Sequence, residues 1–391
     1  MNELNFQQEV SRLCLQIITP VNIADGTKLT AKDYFYDPKK QKAYFLNLHK
    51  WHQFIYQHGL LAAYEKYVSN FSDKRNLLTW LQAQKFTLAD VKNIIVSEAQ
   101  ATVNLVSVED KNTLNDVDKH IHQVDGSLYV PGSSIKGVFR SAILYALLKK
   151  NPAIKNKYWQ AINEEINKPN FNPRKSLSRI TTSLESDLLH TLELEEKRKP
   201  VPGNNAVCSS LRGLQVSDSL SSENIQVAIL QKVDAGFDKL VKASTHPLPI
   251  FKECMLPGAK LYFTVKLDKA MMATIGINSI DALLLVTQNY FDAVRNLLQA
   301  AFGKQYPEQF RGSENANMFL GSNTGFLSKT ILALLAPDAK AAKETIKIVL
   351  DKSFNAHKHF MRDKVISPRT LKCTSYNGQI MLMGLAEVRR I

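Results

Sequence analysis

Cysteine is scarce in this chain, and the few that occur are dispersed. Cys14, Cys208, Cys254 and Cys373 stand far apart, with no Cys-x-x-Cys pair among them. That spacing argues against a zinc ribbon or a disulfide framework and predicts reduced thiols in a cytoplasmic protein. Long apolar runs are missing as well. Stretches such as ALLLV and ILALLA fall far short of the roughly 20 residues that a membrane-spanning helix needs. The opening MNELNFQQEV has no basic segment leading into an apolar one, so no secretory leader is expected. Acidic charge is in deficit: 50 Lys and Arg face 36 Asp and Glu, for a formal net charge of +14. So basic a balance favours a polyanionic partner. Because no polybasic amphipathic helix stands out, nucleic acid fits better than a membrane surface.

What is present is ordinary in bulk. The 391 residues, 45% hydrophobic and 22% charged, suffice for one large core or two medium ones. The chain is organised around Pro131-Gly132-Ser133-Ser134-Ile135-Lys136-Gly137 and the VFRSAILYALLKK that follows. Pro131 and Gly132 close an extended run, and Ser133 or Ser134 is expected to cap a helix. Ile135, Phe139, Ala142, Ile143, Ala146 and Leu147 recur at helical spacing and predict one buried stripe. Lys136 and Arg140 stand one turn apart near the positive end of the helix dipole. Bare amides, two hydroxyls, a glycine and two cations together suit a phosphate. The same residues equally describe a capped core helix with a solvated basic face.

Before this motif, Leu13–Thr19 reads as a strand ended by Pro20, and residues 42–98 read as an aromatic-rich helical insertion. Trp51, Phe54, Ile55, Leu61 and Tyr64 are expected in its core. Ala101–Val108 reads as a strand. After the motif, residues 151–203 carry Pro152, Pro169, Pro173, Pro200 and Pro202 and read as a mobile insertion with one short helix. Strands follow at Leu211–Ser217, Ile225–Val233, Ile250–Met255 and Leu261–Leu267, the last two joined by a turn at Pro257-Gly258. Asp281–Phe302 and Ala339–Asp351 read as helices, and Ile380–Val388 as a last strand. The order strand, helix, paired strands, helix, strand predicts an α+β, ferredoxin-like or RRM-like core, single or duplicated.

Several constellations are candidates for chemistry. GSNTGFLSKT (Gly321–Thr330) invites a P-loop reading, but Gly325 lies four positions before Lys329 instead of beside it, so nucleotide hydrolysis is not expected. The loop still offers Gly321, Asn323, Thr324 and Lys329 to a backbone phosphate, or is simply a tight turn. His120 with His122, and His357 with His359, lack a Cys or carboxylate at a zinc spacing, so no metal or other cofactor is expected. A histidine could instead serve as the base of a metal-independent ribonuclease. Asp33 and Asp37 could position a reacting oxygen, although Asp37 before Pro38 is an ordinary turn residue. Arg212 beside Gly213 could pair with phosphate, or with Asp218.

PGSSIKGVFRSAILYAL, LRGLQVSDS, ECMLPGAKLYFTVKLD and FLGSNTGFLSKT, in that order, resemble the RAMP superfamily of CRISPR-associated RNA-binding proteins. The strand with TPVNIADG resembles that family's opening, with its usual HIGxG altered to Asn22-Ile23-Ala24-Asp25-Gly26. The closing ISPRTLKC and MGLAEV narrow the resemblance to fifth subunits of type III-A Csm effector complexes. The resemblance implies a subunit that holds the 3′ part of the CRISPR RNA and docks on sister subunits, above all the repeated backbone subunit. It also implies a role in maturing the CRISPR RNA intermediate by recruiting separate host trimming nucleases. No catalytic residue is carried over.

The resulting expectation is an RNA-binding module with a RAMP core at 1–41 plus 99–335, a helical insertion at 42–98 and a C-terminal extension at 336–391. That extension could form a second RRM-like half with 211–335. RNA would be held by Gly132, Ser133, Ser134, Lys136, Arg140 and Arg212, with Gly321, Asn323, Thr324 and Lys329 as a second contact. The alternatives are a metal-independent endoribonuclease for precursor CRISPR RNA and a protein-facing cap whose charge only suits its neighbourhood.

Overall fold

The computed structural model describes residues 8–102, 114, 116–196, 199–221, 223, 225–237 and 242–391. Most of the strand expected at Ala101–Val108 lies outside them. Six elements carry the first layer: β1 (Gln8–Ile17), α1 (Gly132–Lys150), β2 (Leu214–Val216), β3 (Lys260–Asp268), α2 (Ile280–Phe302) and β4 (Leu385–Arg390). They pair in the order β4-β1-β3-β2, every neighbour antiparallel, and the short strand Met318–Phe319 extends the β4 edge. This is the ferredoxin-like βαββαβ topology that the element order predicted.

Alternation explains the core. In β1, Leu13, Leu15 and Ile17 point to one face, and the register Leu13 to Phe263 and Leu15 to Leu261 puts β3's apolar side chains beside them. Ile135, Phe139, Ala142 and Ile143 of α1 pack on that face with Leu283, Phe291, Val294 and Phe302 of α2. Ala146 and Leu147, expected in the same stripe, are half-buried, and Leu144 and Leu148 are buried in their place.

Residues 151–203 hold two helices, of 15 and 17 residues, against the one short helix expected. Pro152 opens the helix Pro152–Ile166 and Pro173 opens Pro173–Leu189. At a helix's first position a missing N–H costs nothing, so these prolines start helices instead of breaking them. Tyr158, Ile162, Ile180, Leu184 and Leu188 then join the main core.

A second sheet runs in the order Ala24–Leu29, Val117–His120, Ala243–Met255, Val227–Phe237, Ile95–Thr102, Lys42–Leu46 and Phe35–Asp37. One edge of Val227–Phe237 is divided: Ala228–Leu230 pairs with Ile95–Thr102, while Lys232–Gly236 pairs with Thr370–Tyr376. The ends of the block read as helical are therefore strands. Between them, Leu48–Gln57, Leu61–Ser69 and Leu77–Ala83 enclose Trp51, Phe54, Ile55 and Trp80. Tyr64 is half-buried against that cluster, and Leu61 stays 48% exposed. The two sheets also cross the boundary expected at 336. Thr370–Tyr376 joins the second sheet, whereas β4 completes the first, with Gly384 in the left-handed region where the last expected strand breaks in two. Among the described residues no helix is long and apolar enough to cross a membrane.

Candidate nucleic-acid interface

No hydroxyl caps α1. Pro131 occupies the cap position, without a side-chain hydrogen bond, and the first amide is satisfied from elsewhere. Gly132 N–H donates to Asp218 Oδ1 at 2.7 Å, so a carboxylate just beyond β2 meets the positive end of the helix. Only glycine fits there: an added Cβ would lie 2.3 Å from the Val216 carbonyl oxygen.

The cations of the motif are engaged within the protein. Lys136 Nζ donates to Leu211 O at 3.0 Å and Leu214 O at 2.6 Å, and burial pulls its pKa below the usual lysine range. Arg140 pairs with Glu185 of the Pro173–Leu189 helix. Arg212 lies in the 3-10 turn Ser210–Gly213 and not at a strand start, and its Nη1 donates to Val207 O at 2.6 Å. Asp218, a possible partner for Arg212 from the sequence, accepts from Gly132 instead. Lys136 thus ties α1 to the Ser210–Gly213 turn and the start of β2, and Arg140 ties it to the Pro173–Leu189 helix, while Arg212 braces its own segment. Arg140 and Arg212 stay exposed to solvent although each has a partner within the protein.

An open groove of ≈ 400 Å³ lies along a neighbouring face of α1. Ser134, Gly137 and Ser141, at i, i+3 and i+7, form one wall, and Gly137 leaves open space where a side chain would stand. Gly321, Ser322, Thr324, Ser328 and Lys329 form the other, with Ile23 and Ala24 from the altered opening motif between. Gly321 has φ +86, and an added Cβ would lie 2.3 Å from Asn22 O. Ser322 N–H donates to the same Asn22 carbonyl at 2.6 Å, and buried Asn22 donates onward to Glu253 O at 2.8 Å. The loop is therefore locked to the strand-to-strand connection beneath it. Lys329 reaches solvent and has no carboxylate partner among the described residues. Desolvation and then the Lys252 charge hold its pKa below the usual range.

Of the residues expected to contact RNA, the structure brings Ser134, Gly321, Thr324 and Lys329 to this groove. Ser133 is exposed beside it, and Asn323 turns its amide to the Met383 sulfur at 2.8 Å. Ser141 and Ser322 were not foreseen. The spacing of small residues along α1 was the available signal for Ser141.

The histidines play different parts. His120 is buried with both ring nitrogens used: Nδ1 accepts from Ile23 N–H at 3.0 Å, and Nε2 donates to Tyr129 O at 3.2 Å. Burial lowers its pKa to about 4. His122 donates from Nδ1 to His120 O at 2.7 Å and places Nε2 3.6 Å from Glu253 Oε1. Glu253 is buried, which raises its pKa to about 7 although its Oε2 accepts from His120 N–H. His359 donates to buried Asp363 at 2.8 Å, together with Ser367 at 2.7 Å and Arg369 at 2.9 Å. Burial pushes the Asp363 carboxyl up, but these three hydrogen bonds outweigh it and hold its pKa low. Asp33 accepts from the Thr30 amide and hydroxyl, and Asp37 from the amides of Lys39 and Lys40, so both serve turns. Among the described residues no three or more His, Cys, Asp or Glu side chains converge as metal ligands.

The sequence profile of the RAMP superfamily matches residues 14–301. The chain is 21% identical over 365 residues to the CRISPR system Cms protein Csm5 of Enterococcus italicus, covering 88% of this chain and 85% of that one. To the protein of the same name from Mycobacterium tuberculosis it is 24% identical, over 96% of each chain. Among solved structures it resembles a chain of the cryo-EM structure of a Csm–crRNA–target RNA ternary complex in a type III-A CRISPR-Cas system. The TM-score is 0.64, with 17% identity, over 97% of this chain and 100% of that chain. The crystal structure of T. onnurineus Csm5 gives a TM-score of 0.59 with 16% identity, over 96% and 99%. At these identities the structures show a shared fold.

Proposed function

The chain belongs to the RAMP superfamily, and from that premise we propose that it is the Csm5-type RNA-binding subunit of a type III-A CRISPR ribonucleoprotein. It holds the 3′ part of the CRISPR RNA by the sugar-phosphate backbone and caps that end of the assembly. The observation that carries this reading is the convergence of Ser134–Ser141 and Gly321–Lys329, far apart in sequence, on one open groove. Hydroxyls, a close-approach glycine and a lysine with no carboxylate partner among the described residues suit phosphate and ribose oxygens and carry no base-specific pattern. The charge of +14 supports the same partner.

Gly132, Lys136 and Arg140 act by fixing α1 and Arg212 by bracing the turn before β2, while Ser133 and Asn323 flank the groove. In this reading the chain binds and does not cut. It docks on the repeated backbone subunit and presents the RNA end to separate trimming nucleases. Copurification of the complex with and without this chain tests that role: without it, the 3′ ends of the bound RNA should lengthen and become heterogeneous. Unchanged ends would argue against it.

A second reading, a metal-independent endoribonuclease, has one observation in its favour. His122 Nε2 faces a buried carboxylate, Glu253, at 3.6 Å, an arrangement that can hold a base near a 2′-hydroxyl. His120 is unsuited to that role because both its nitrogens are bound. Cleavage of labelled precursor RNA in chelator, lost in His122→Ala, would establish this reading. Intact RNA retires it.

A further inference from the structure

Beyond the groove, basic side chains continue across the second sheet. Lys232 and Lys372 share one carboxylate, Asp234, at 3.3 and 2.8 Å. Lys252 pairs with Asp118 on the neighbouring strand. Lys372 packs beside the groove loop, since a Cβ on Gly325 would lie 3.6 Å from its Cγ. Lys329 and Lys252 repel each other across the same junction, and Lys232 feels both Lys252 and Lys372. Farther on, Arg369 shares Asp363 with His359. Five cations, Lys232, Lys252, Lys329, Lys372 and Arg369, thus meet three carboxylates. The side chains of Lys232 and Lys252 are only 14% and 9% exposed, where an unbalanced charge is expensive.

This track ends at an aromatic platform. Phe354 is 53% exposed and stacks on His357, with ring centroids 5.8 Å apart and planes 23° apart. Desolvation, then the neighbouring His359 and the charges of Arg369, Lys372 and Lys232, lower the pKa of His357. Phe354 belongs to none of the buried apolar clusters among the described residues. An acidic protein segment would satisfy the lysines and leave the rings unused. Single-stranded RNA uses both, phosphates on the cations and a base on the rings.

We propose that RNA leaving the groove crosses the lysine-bearing face of Val227–Phe237 and Thr370–Tyr376 and stacks an unpaired base on the Phe354–His357 pair. This inference rests on the RNA-binding reading above and extends it to a base-binding subsite. The stack is indifferent to base identity, because every base offers a flat face, so it suits an RNA of variable sequence.

The test uses the full-length chain and a labelled single-stranded oligouridylate, read by fluorescence anisotropy over a salt series. Phe354→Ala should weaken binding about 5- to 50-fold with an unchanged salt slope, and Phe354→Trp should restore it. An oligonucleotide with abasic sites at its 3′ end should bind wild type and Phe354→Ala equally. Lys329→Glu provides the independent arm, because it lies in the groove. Loss of affinity in Lys329→Glu but none in Phe354→Ala overturns the base-stacking inference and leaves the groove standing. A wild-type chain that binds no RNA overturns both.

Discussion

Gly132 N–H and the Asp218 carboxylate meet at 2.7 Å, joining the start of α1 to the segment that follows β2. The expected hydroxyl cap is thereby replaced by a charged one, supplied from far along the chain.

Removing that acceptor leaves a part-buried amide unpaired and the helix dipole uncompensated. Asp218→Ala should cost about 1–2 kcal/mol, read as a lower urea midpoint at unchanged m-value. Gly132→Ala should cost more, because its Cβ would collide with the Val216 carbonyl.

Asp363→Ala should be the most damaging single change in the C-terminal segment. It strands the partly buried Arg369 guanidinium and the donors on His359 and Ser367, for a loss of about 3–5 kcal/mol. Faster amide exchange across residues 354–369 would localise the effect, whereas wild-type protection there would contradict it.

Glu253 and His120 give opposed pH dependences. The Glu253 pKa rises from 4.5 to about 7 on folding, so the folded chain holds the extra proton and stability falls as pH rises through that window. The His120 pKa drops from 6.5 to about 4, so the unfolded chain holds the extra proton and stability falls as pH is lowered through that one. Between about pH 4.5 and 6.5 the two oppose each other. Glu253→Gln removes the first alone. Its stability relative to wild type should therefore increase with pH from 4.5 to 7, as chemical denaturation at a series of pH values would show.

Arg140 and Lys329 separate a bound cation from an available one. Lys329→Ala should reduce the salt slope of RNA binding by about 1, and Arg140→Ala, whose partner is Glu185, should leave it unchanged. Equal slopes for the two variants would argue against the groove.

Local signals were legible in the sequence where a side chain's role depends on near neighbours. The alternation in Leu261–Leu267, the helical stripe at Ile135–Ile143 and the βαββαβ order all reappear in the fold. Failures came where the partner is remote. Lys136 and Arg140 look like a free basic face until the carbonyls of Leu211 and Leu214 take the first and Glu185 the second. Residues 151–203 read as loop because a proline that opens a helix resembles one that breaks it. The site suffered likewise. Ser134 and Lys329 were each foreseen as phosphate contacts, but only the tertiary fold sets them on facing walls, with Asn22 fastening the second wall in place. Ser141 carried no signal beyond its spacing.

The groove itself is tested most directly by photocrosslinking 4-thiouridine-labelled CRISPR RNA to the assembled complex and mapping the adducts on this chain. Adducts within 134–141 and 321–329 are the predicted result. A chain crosslinked only elsewhere, with both segments unlabelled, would contradict it.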